Sequence, residues 1–322
     1  MFFMMSKKWL FFIFLIFSLV SFSQTYDSYK PERDKIHDLV HTKLKVDFNF
    51  NKKELNGEAW VTAKPHFYAT DHFSLDAKAM IIHQVSFNNE ILEYSYDDYK
   101  INIDLPKEFR KGEEFTIYIK YTARPEKVAQ KGSAAITSAK GLYFINADGY
   151  DKNKPTQIWT QGETEASSCW FPTIDTPNQK TTQEIYITVP KRFVTLSNGK
   201  LVDQVVNGSN RTDYWKMDKK HAPYLFFMGV GEYEIIKDSY NNIPIDYYVE
   251  KKYAPYAKDI FGNTPEMMEF FSRILGVAFP WNKYSQIVGR DYVSGAMENT
   301  TAIIHGEQAY QTPGQLIDEN IQ

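Results

Sequence analysis

The chain has 322 residues, of which 43% are hydrophobic and 16% aromatic, enough to build packed cores for two domains and too many for a chain disordered along its length. Its 37 basic and 40 acidic residues leave a net charge of -3, and no long basic run tracks a phosphate backbone, so nucleic acid is not an expected partner. The one cysteine, Cys169, excludes an intrachain disulfide and, without a matched His and Asn or Asp context, is expected to be a buried structural thiol.

Residues 1–23 read as an export signal. Lys7 and Lys8 precede an apolar run from Trp9 to Phe17, and Ser21 and Ser23 are small residues placed like a cleavage site. Cleavage after Ser23 leaves Gln24 first and implies a periplasmic, secreted or cell-envelope location. A membrane is a partner only if the segment stays uncleaved, and the run is short for a bilayer span. From Leu44 to Phe50 the apolar Leu44, Val46, Phe48 and Phe50 alternate with Lys45, Asp47 and Asn49, the pattern of a half-buried strand. Asn56-Gly57 is expected to turn the chain before a strand over Ala59 to Ala63. Ile101, Ile103 and Leu105 alternate, Lys111-Gly112 turns, and Phe115, Ile117, Ile119 and Tyr121 alternate again. Further strands are predicted over Glu184 to Val189, Phe193 to Leu196, Thr212 to Met217 and Tyr224 to Val230, with a turn at Asn207-Gly208-Ser209-Asn210. Such a run of short antiparallel strands predicts a mainly β chain, a sandwich or saddle-shaped sheet assembly over residues 24–237.

The character changes between Ile236 and Asn241. A strand from Ile243 to Glu250 leads into a helix with Thr264 as the expected N-cap, Pro265 and Glu266 in its first turn and Gly276 past its end. Met267, Phe271 and Ile274, flanked by Met268 and Leu275, form one apolar stripe that is expected to be core. Residues 238–322 read as the start of an α/β unit too short to bury a full core of its own. The stripe is therefore expected to pack on the sheet domain, on a second chain or on residues outside this polypeptide.

Gly295-Ala296-Met297-Glu298-Asn299 carries the chemistry of peptide-end recognition. A free α-amine titrates at about 7.7 to 8.0, so near neutrality it is largely cationic and pairs with carboxylates. Glu298 is one candidate, and Glu163 in Thr160-Gln161-Gly162-Glu163 is the other. Gly295 and Ala296 are small enough for a substrate backbone to approach and add as a strand, and Ser285 to Val288 and Thr300 to Ile304 flank them with strand-like composition. His37 and His41 have the i, i+4 spacing of zinc ligands on a helix, but Asp38 stands where a metalloprotease places Glu and a strand follows at once. His305 with Glu307 is too little for a metal site, and Asp175 is expected to be a structural hydrogen-bonding group.

The pentapeptide resembles the signature of the aminopeptidase N family of zinc metallopeptidases, which remove residues from peptide N-termini. Thr160-Gln161-Gly162-Glu163 is similar to the family's Gln-x-Glu element, and Phe171-Pro172-Thr173-Ile174-Asp175-Thr176-Pro177 to the element that follows it. Gly141-Leu142-Tyr143-Phe144, Leu196-Ser197-Asn198-Gly199 and the stretch from Tyr224-Leu225 to Gly231 fall in the family's order. Phe279-Pro280-Trp281-Asn282-Lys283-Tyr284 resembles its Tyr-Pro-x-x-Lys-x-Asp segment, with Phe for Tyr and Tyr for Asp. The match runs from His41 to Ile304. It implies an antiparallel β-sandwich or saddle domain followed by the start of a thermolysin-like α/β domain. It also implies that Glu163 and Glu298 bind the amine of a peptide with a free N-terminus, Gln161 borders the pocket for the first side chain, and Gly295 and Ala296 hold the backbone. Met297 and Asn299 complete the substrate-binding motif, the first expected as a packing residue and the second as holding the motif through a local side-chain hydrogen bond. The family's zinc sits on a His-Glu-x-x-His helix with a more distant Glu. No such helix motif occurs in the sequence, so zinc is implied by resemblance while no metal ligand and no catalytic residue is assigned to this chain. The expected function is the N-terminal portion of an exported zinc aminopeptidase, not expected to hydrolyse amino-acid anilides alone. The alternatives are a non-catalytic peptide-binding or scaffold protein of the same descent and, from strands and aromatic content only, a carbohydrate-binding sandwich.

Overall fold

A computed structural model describes residues 33–129 and 131–315; the export signal over residues 1–23 lies outside them. The described residues from Lys35 onward belong to one compact unit. In chain order its strands begin with β1 (His37–Asn49), β2 (Glu54–Pro65), β3 (Thr70–Asp76), β4 (Met80–Phe87), β5 (Glu90–Ile91), β6 (Tyr94–Tyr96), β7 (Lys100–Phe109) and β8 (Phe115–Ala123). They continue with β9 (Leu142–Ile145), β10 (Gln157–Thr160), β11 (Thr181–Pro190), β12 (Val194–Ser197), β13 (Lys200–Asn207), β14 (Asn210–His221) and β15 (Met228–Gly231). The last are β16 (Glu234–Tyr240), β17 (Ile243–Val249), β18 (Tyr284–Gly289), β19 (Ala296–Met297) and β20 (Ala302–Gly306).

These strands make an 8-stranded sheet in the order β13-β14-β11-β1-β2-β8-β4-β5, a 3-stranded sheet β3-β7-β6, a 4-stranded sheet β12-β15-β10-β9 and a 5-stranded sheet β16-β17-β18-β20-β19. The alternation read from the sequence places Leu44, Val46, Ile117, Ile119 and Tyr121 in one core shared with Ile101, Ile103 and Trp159. The expected antiparallel order holds for most neighbours, but β1 pairs in parallel with β11, and β18 pairs in parallel with both β17 and β20. Parallel neighbours need long crossovers, and that pairing has no local signature.

Asn56-Gly57 does not turn the chain. Both residues lie inside β2, and the reversal occurs at Phe50–Lys53, where Lys53 has φ 55°. Gly57 is needed for close approach instead: a Cβ there would meet the Tyr121 ring at 2.2 Å. The turns at Gly112 and Gly208 do form, with φ of 90° and 60°. β13 has no buried residue to mark it and is absent from the strands expected by alternation.

The helix spans Thr264–Leu275 and ends on Gly276 in the left-handed region. Its cap position is Asn263 rather than Thr264, whose hydroxyl donates back to the Phe261 carbonyl at 2.7 Å. Its apolar stripe is not core. Met268 is buried, but Phe271, Ile274 and Leu275 are 57%, 60% and 69% exposed. The helix packs mainly against β16, with Thr264 at its start also held by Gln286 of β18, so amphipathic spacing set the stripe while the later turns left it open. β17 faces two ways, with Ile245, Tyr247 and Val249 in a second apolar cluster beside Phe261 and Tyr248 in the main core. Burial on both faces explains the strand's nearly continuous apolar run.

Candidate functional site

β10 sits between β15 and β9 and delivers Gln161, Gly162 and Glu163 from its end. The Gln161 amide donates to the Gly141 carbonyl at 2.9 Å. Gly162 leaves no room for a side chain, since a Cβ would stand 2.3 Å from the Tyr224 carbonyl oxygen. Gln161 is buried, its Oε1 accepts from the Tyr292 hydroxyl at 3.0 Å, and its Nε2 has no partner among the described residues. Glu163 is half-buried.

The second half of the site is the edge of the 5-stranded sheet. There β19 pairs antiparallel with β20, with Ala296 opposite His305 and Met297 opposite Ile304. The Gly295 carbonyl accepts from the Gly306 amide at 2.9 Å and from Gln308 Nε2 at 2.9 Å. Because bonded and non-bonded pairs alternate in an antiparallel ladder, this bond makes Ala296 and His305 the non-bonded pair. The Ala296 N–H and C=O therefore turn toward the free edge. Gly295, Ala296 and Glu298 are exposed.

Tyr292 joins the halves. Its ring stands edge-on to Trp159 at 5.1 Å, Trp159 stacks on Tyr143 at 4.1 Å, and the indole N–H donates to the Arg290 carbonyl at 3.1 Å. The Tyr292 phenol is pushed well above its ordinary pKa, first by burial and then by the negative potential of Tyr143, Glu163 and Glu298. Tyr292 was not among the residues singled out; its place three residues ahead of Gly295 is the only local signal.

Arg290 clamps the surroundings. Its guanidinium bonds Glu250 at 2.5 and 2.9 Å and Glu307 at 2.5 Å, and its backbone N–H donates to Gln157 Oε1 at 2.9 Å. The start of β10 is thereby tied to the end of β18. The same guanidinium holds the Glu307 carboxyl below its ordinary pKa, against the opposing effect of burial.

The remaining sequence candidates lie deeper. Met297 is in the main core, and Asn299 is fully buried. The local side-chain hydrogen bond expected of Asn299 is not made: neither side-chain amide atom has a partner among the described residues, and the backbone carbonyl receives the Ala302 amide instead. Asp175 is buried, accepts from the Ser168 amide at 2.8 Å and is pushed up to about 7 by burial. Burial likewise pushes the Cys169 thiol up to about 12. His37 and His41 lie on β1, a strand, where the His37 ring packs edge-on to Phe73. His305 shares a hydrogen bond of 2.9 Å with Gln286.

Residues 26–225 match the family model for the Peptidase M1 N-terminal domain. The chain belongs to the M1 peptidase family. It is 26% identical over 181 residues to aminopeptidase M1 of Arabidopsis thaliana, covering 56% of this chain and 20% of the relative. It is 25% identical over 287 residues to the puromycin-sensitive aminopeptidase of Caenorhabditis elegans, 84% of this chain and 28% of the relative. A further relative is transcription initiation factor TFIID subunit 2 of Danio rerio, 23% identical over 229 residues, 66% of this chain and 18% of the relative. The chain thus spans well under a third of the length of these curated relatives. Among solved structures it superposes on Legionella pneumophila aminopeptidase A, in complex with aspartic acid, with TM-score 0.70 and 19% identity over 86% of this chain and 31% of the other. An M1 zinc metallopeptidase from Deinococcus radiodurans gives TM-score 0.69 and 15% identity over 86% and 62%. These likenesses show the fold: the mainly β architecture expected from sequence is that of M1 aminopeptidases. Among the described residues no three His, Cys, Asp or Glu side chains come together to hold a metal, so they do not fit the zinc ion that the family implies.

Proposed function

We propose that this M1 chain is the N-terminal portion of an exported zinc aminopeptidase and supplies the surface that reads a peptide's free amino end. The observation that carries the proposal is the hydrogen bond from the Tyr292 hydroxyl to Gln161 Oε1, which ties the segment bearing Glu163 to the segment bearing Glu298 beside the open edge of β19. In this reading the two carboxylates pair with the α-ammonium, each as a charge-assisted acceptor. Tyr292 holds Gln161 in place, and the unpartnered Gln161 Nε2 donates to the first residue's carbonyl or side chain. The outward N–H and C=O of Ala296 bind the peptide backbone as an added strand. Met297 and Asn299 support the motif from beneath. The hydrolytic step has no residue assigned in this chain.

Titration calorimetry of the chain with a short peptide bearing either a free or an acetylated N-terminus tests the proposal. At least tenfold tighter binding of the free form is expected, and equal affinities would remove the amine-reading role. The exported location rests on residues 1–23; recovery of the protein in the cytoplasmic fraction with Met1 retained would overturn it. A second reading, a peptide-binding or scaffold protein without catalysis, draws on the similarity to a relative named as a transcription-factor subunit rather than a peptidase. Coding sequence for a His-Glu-x-x-His helix downstream of codon 322 decides for the enzyme, and its absence in every frame decides for the scaffold.

A further inference from the structure

A cavity of about 640 Å³ opens where β13 and β14 meet β12, β16 and β17, a volume in the range that takes a small molecule. It lies at the β16 side of the 5-stranded sheet, whereas the amine-reading surface lies at the opposite edge on β19.

Its charges do not cancel. Arg211, in the wall, is tied to Asp213 at 2.6 Å, and Lys237 to Asp246 at 2.8 Å. Lys283 and Lys200, which also line the cavity, have no carboxylate within ion-pair distance among the described residues. Lys283 is 4% exposed. Its ammonium makes one hydrogen bond, to the Ser197 carbonyl at 2.8 Å, and stands 4.8 Å from the centre of the Trp215 ring. An ammonium has three donors, and a buried cation without a close counter-ion is costly; burial holds the Lys283 amine down to about 7, against the opposing charge of Asp246, which lines the same cavity and is tied to Lys237. The same lining includes the apolar Leu201 and Ile235 and the ring of Tyr248.

We propose that this cavity is a second binding site, for a small organic anion whose acid group is held by Lys283, with Lys200 at the mouth, and whose flat apolar body lies against Trp215. The anion supplies at contact distance the counter-charge that Asp246, engaged with Lys237, gives Lys283 only from farther off, and the indole and aliphatic walls supply the affinity for the body. The site is independent of the amine-reading surface and of any catalytic step.

Calorimetry of the full chain with naphthalene-2-carboxylate, and with neutral 2-naphthalenemethanol for comparison, tests it. The acid is expected to bind at least tenfold more tightly than the alcohol. Lys283→Met is expected to abolish that preference, and Lys200→Ala to weaken the acid about threefold. If circular dichroism shows that Lys283→Met does not fold, Lys200→Glu, a change at an exposed position, is expected to weaken the acid at least tenfold. No saturable binding of the acid at millimolar concentration, equal binding of acid and alcohol, or an unchanged dissociation constant in Lys200→Glu would each overturn the proposal.

Discussion

Glu298 is exposed and Glu163 half-buried, yet both raise the proton affinity of the same phenol. Replacing either by Gln keeps the shape and removes the charge. A hydrogen bond to a charged group contributes about 1.5 to 3 kcal/mol, so Glu298→Gln is expected to weaken a free-amine peptide by about tenfold or more. An acetylated peptide should be unaffected, and calorimetry on the pair reads the difference. Asp175 gives a second prediction. Its folded-state pKa is raised to about 7 by burial, so between about pH 4 and pH 7 the native state holds a proton that the unfolded chain has released. The stabilisation is complete below the unfolded value and is lost as pH rises through 7, with a slope of at most about 1.4 kcal/mol per pH unit. Asp175→Asn should remove that slope in urea titrations run across the window.

At the scale of elements, β2 and β8 touch so closely at Gly57 and Tyr121 that an added methyl overpacks the site. Gly57→Ala is expected to cost about 1 to 3 kcal/mol. Because the obstruction is the Tyr121 side chain, shortening it in a Gly57→Ala/Tyr121→Leu double variant should show coupling rather than additivity. The helix Thr264–Leu275 behaves in the opposite way. Ile274 is 60% exposed, so Ile274→Ala should change stability by less than about 0.5 kcal/mol, whereas a buried isoleucine would cost about 2 to 5 kcal/mol. Thermal unfolding of the two proteins separates these cases. The spacing of Met267, Phe271 and Ile274 was legible in the sequence because helical period is local. Whether a neighbour covers that face is not a local property.

For the whole molecule, acid sensitivity follows from histidines held neutral by burial. His221 is pushed down to about 3 and His305 to about 4, both by desolvation, and His37 to about 4 by burial against the opposing Asp38 charge. Depressed folded values mean that their contribution is present above the unfolded value near 6.5 and is lost as pH falls through it. Stability should therefore drop from pH 6.5 toward 4, by about 1.4 kcal/mol per pH unit for each of His221 and His305, with Asp175 opposing. Denaturant midpoints that rise on acidification across that range would contradict this.

The alternation in β1 and β8, the turns at Gly112 and Gly208 and the left-handed stop at Gly276 were determined by the sequence itself, because side-chain period and backbone freedom act over a few residues. So was the candidacy of Glu163 and Glu298, since a carboxylate offers an ammonium a full opposite charge. What the tertiary structure alone decided was that β1 runs parallel to β11, that Gly57 receives a ring instead of turning the chain, and that Asn299 is sealed without a partner. It also decided that the Tyr292 hydroxyl reaches Gln161 across the two motif segments. Each depends on segments far apart in the chain becoming neighbours through sheet order, and no local pattern of residue types encodes that adjacency.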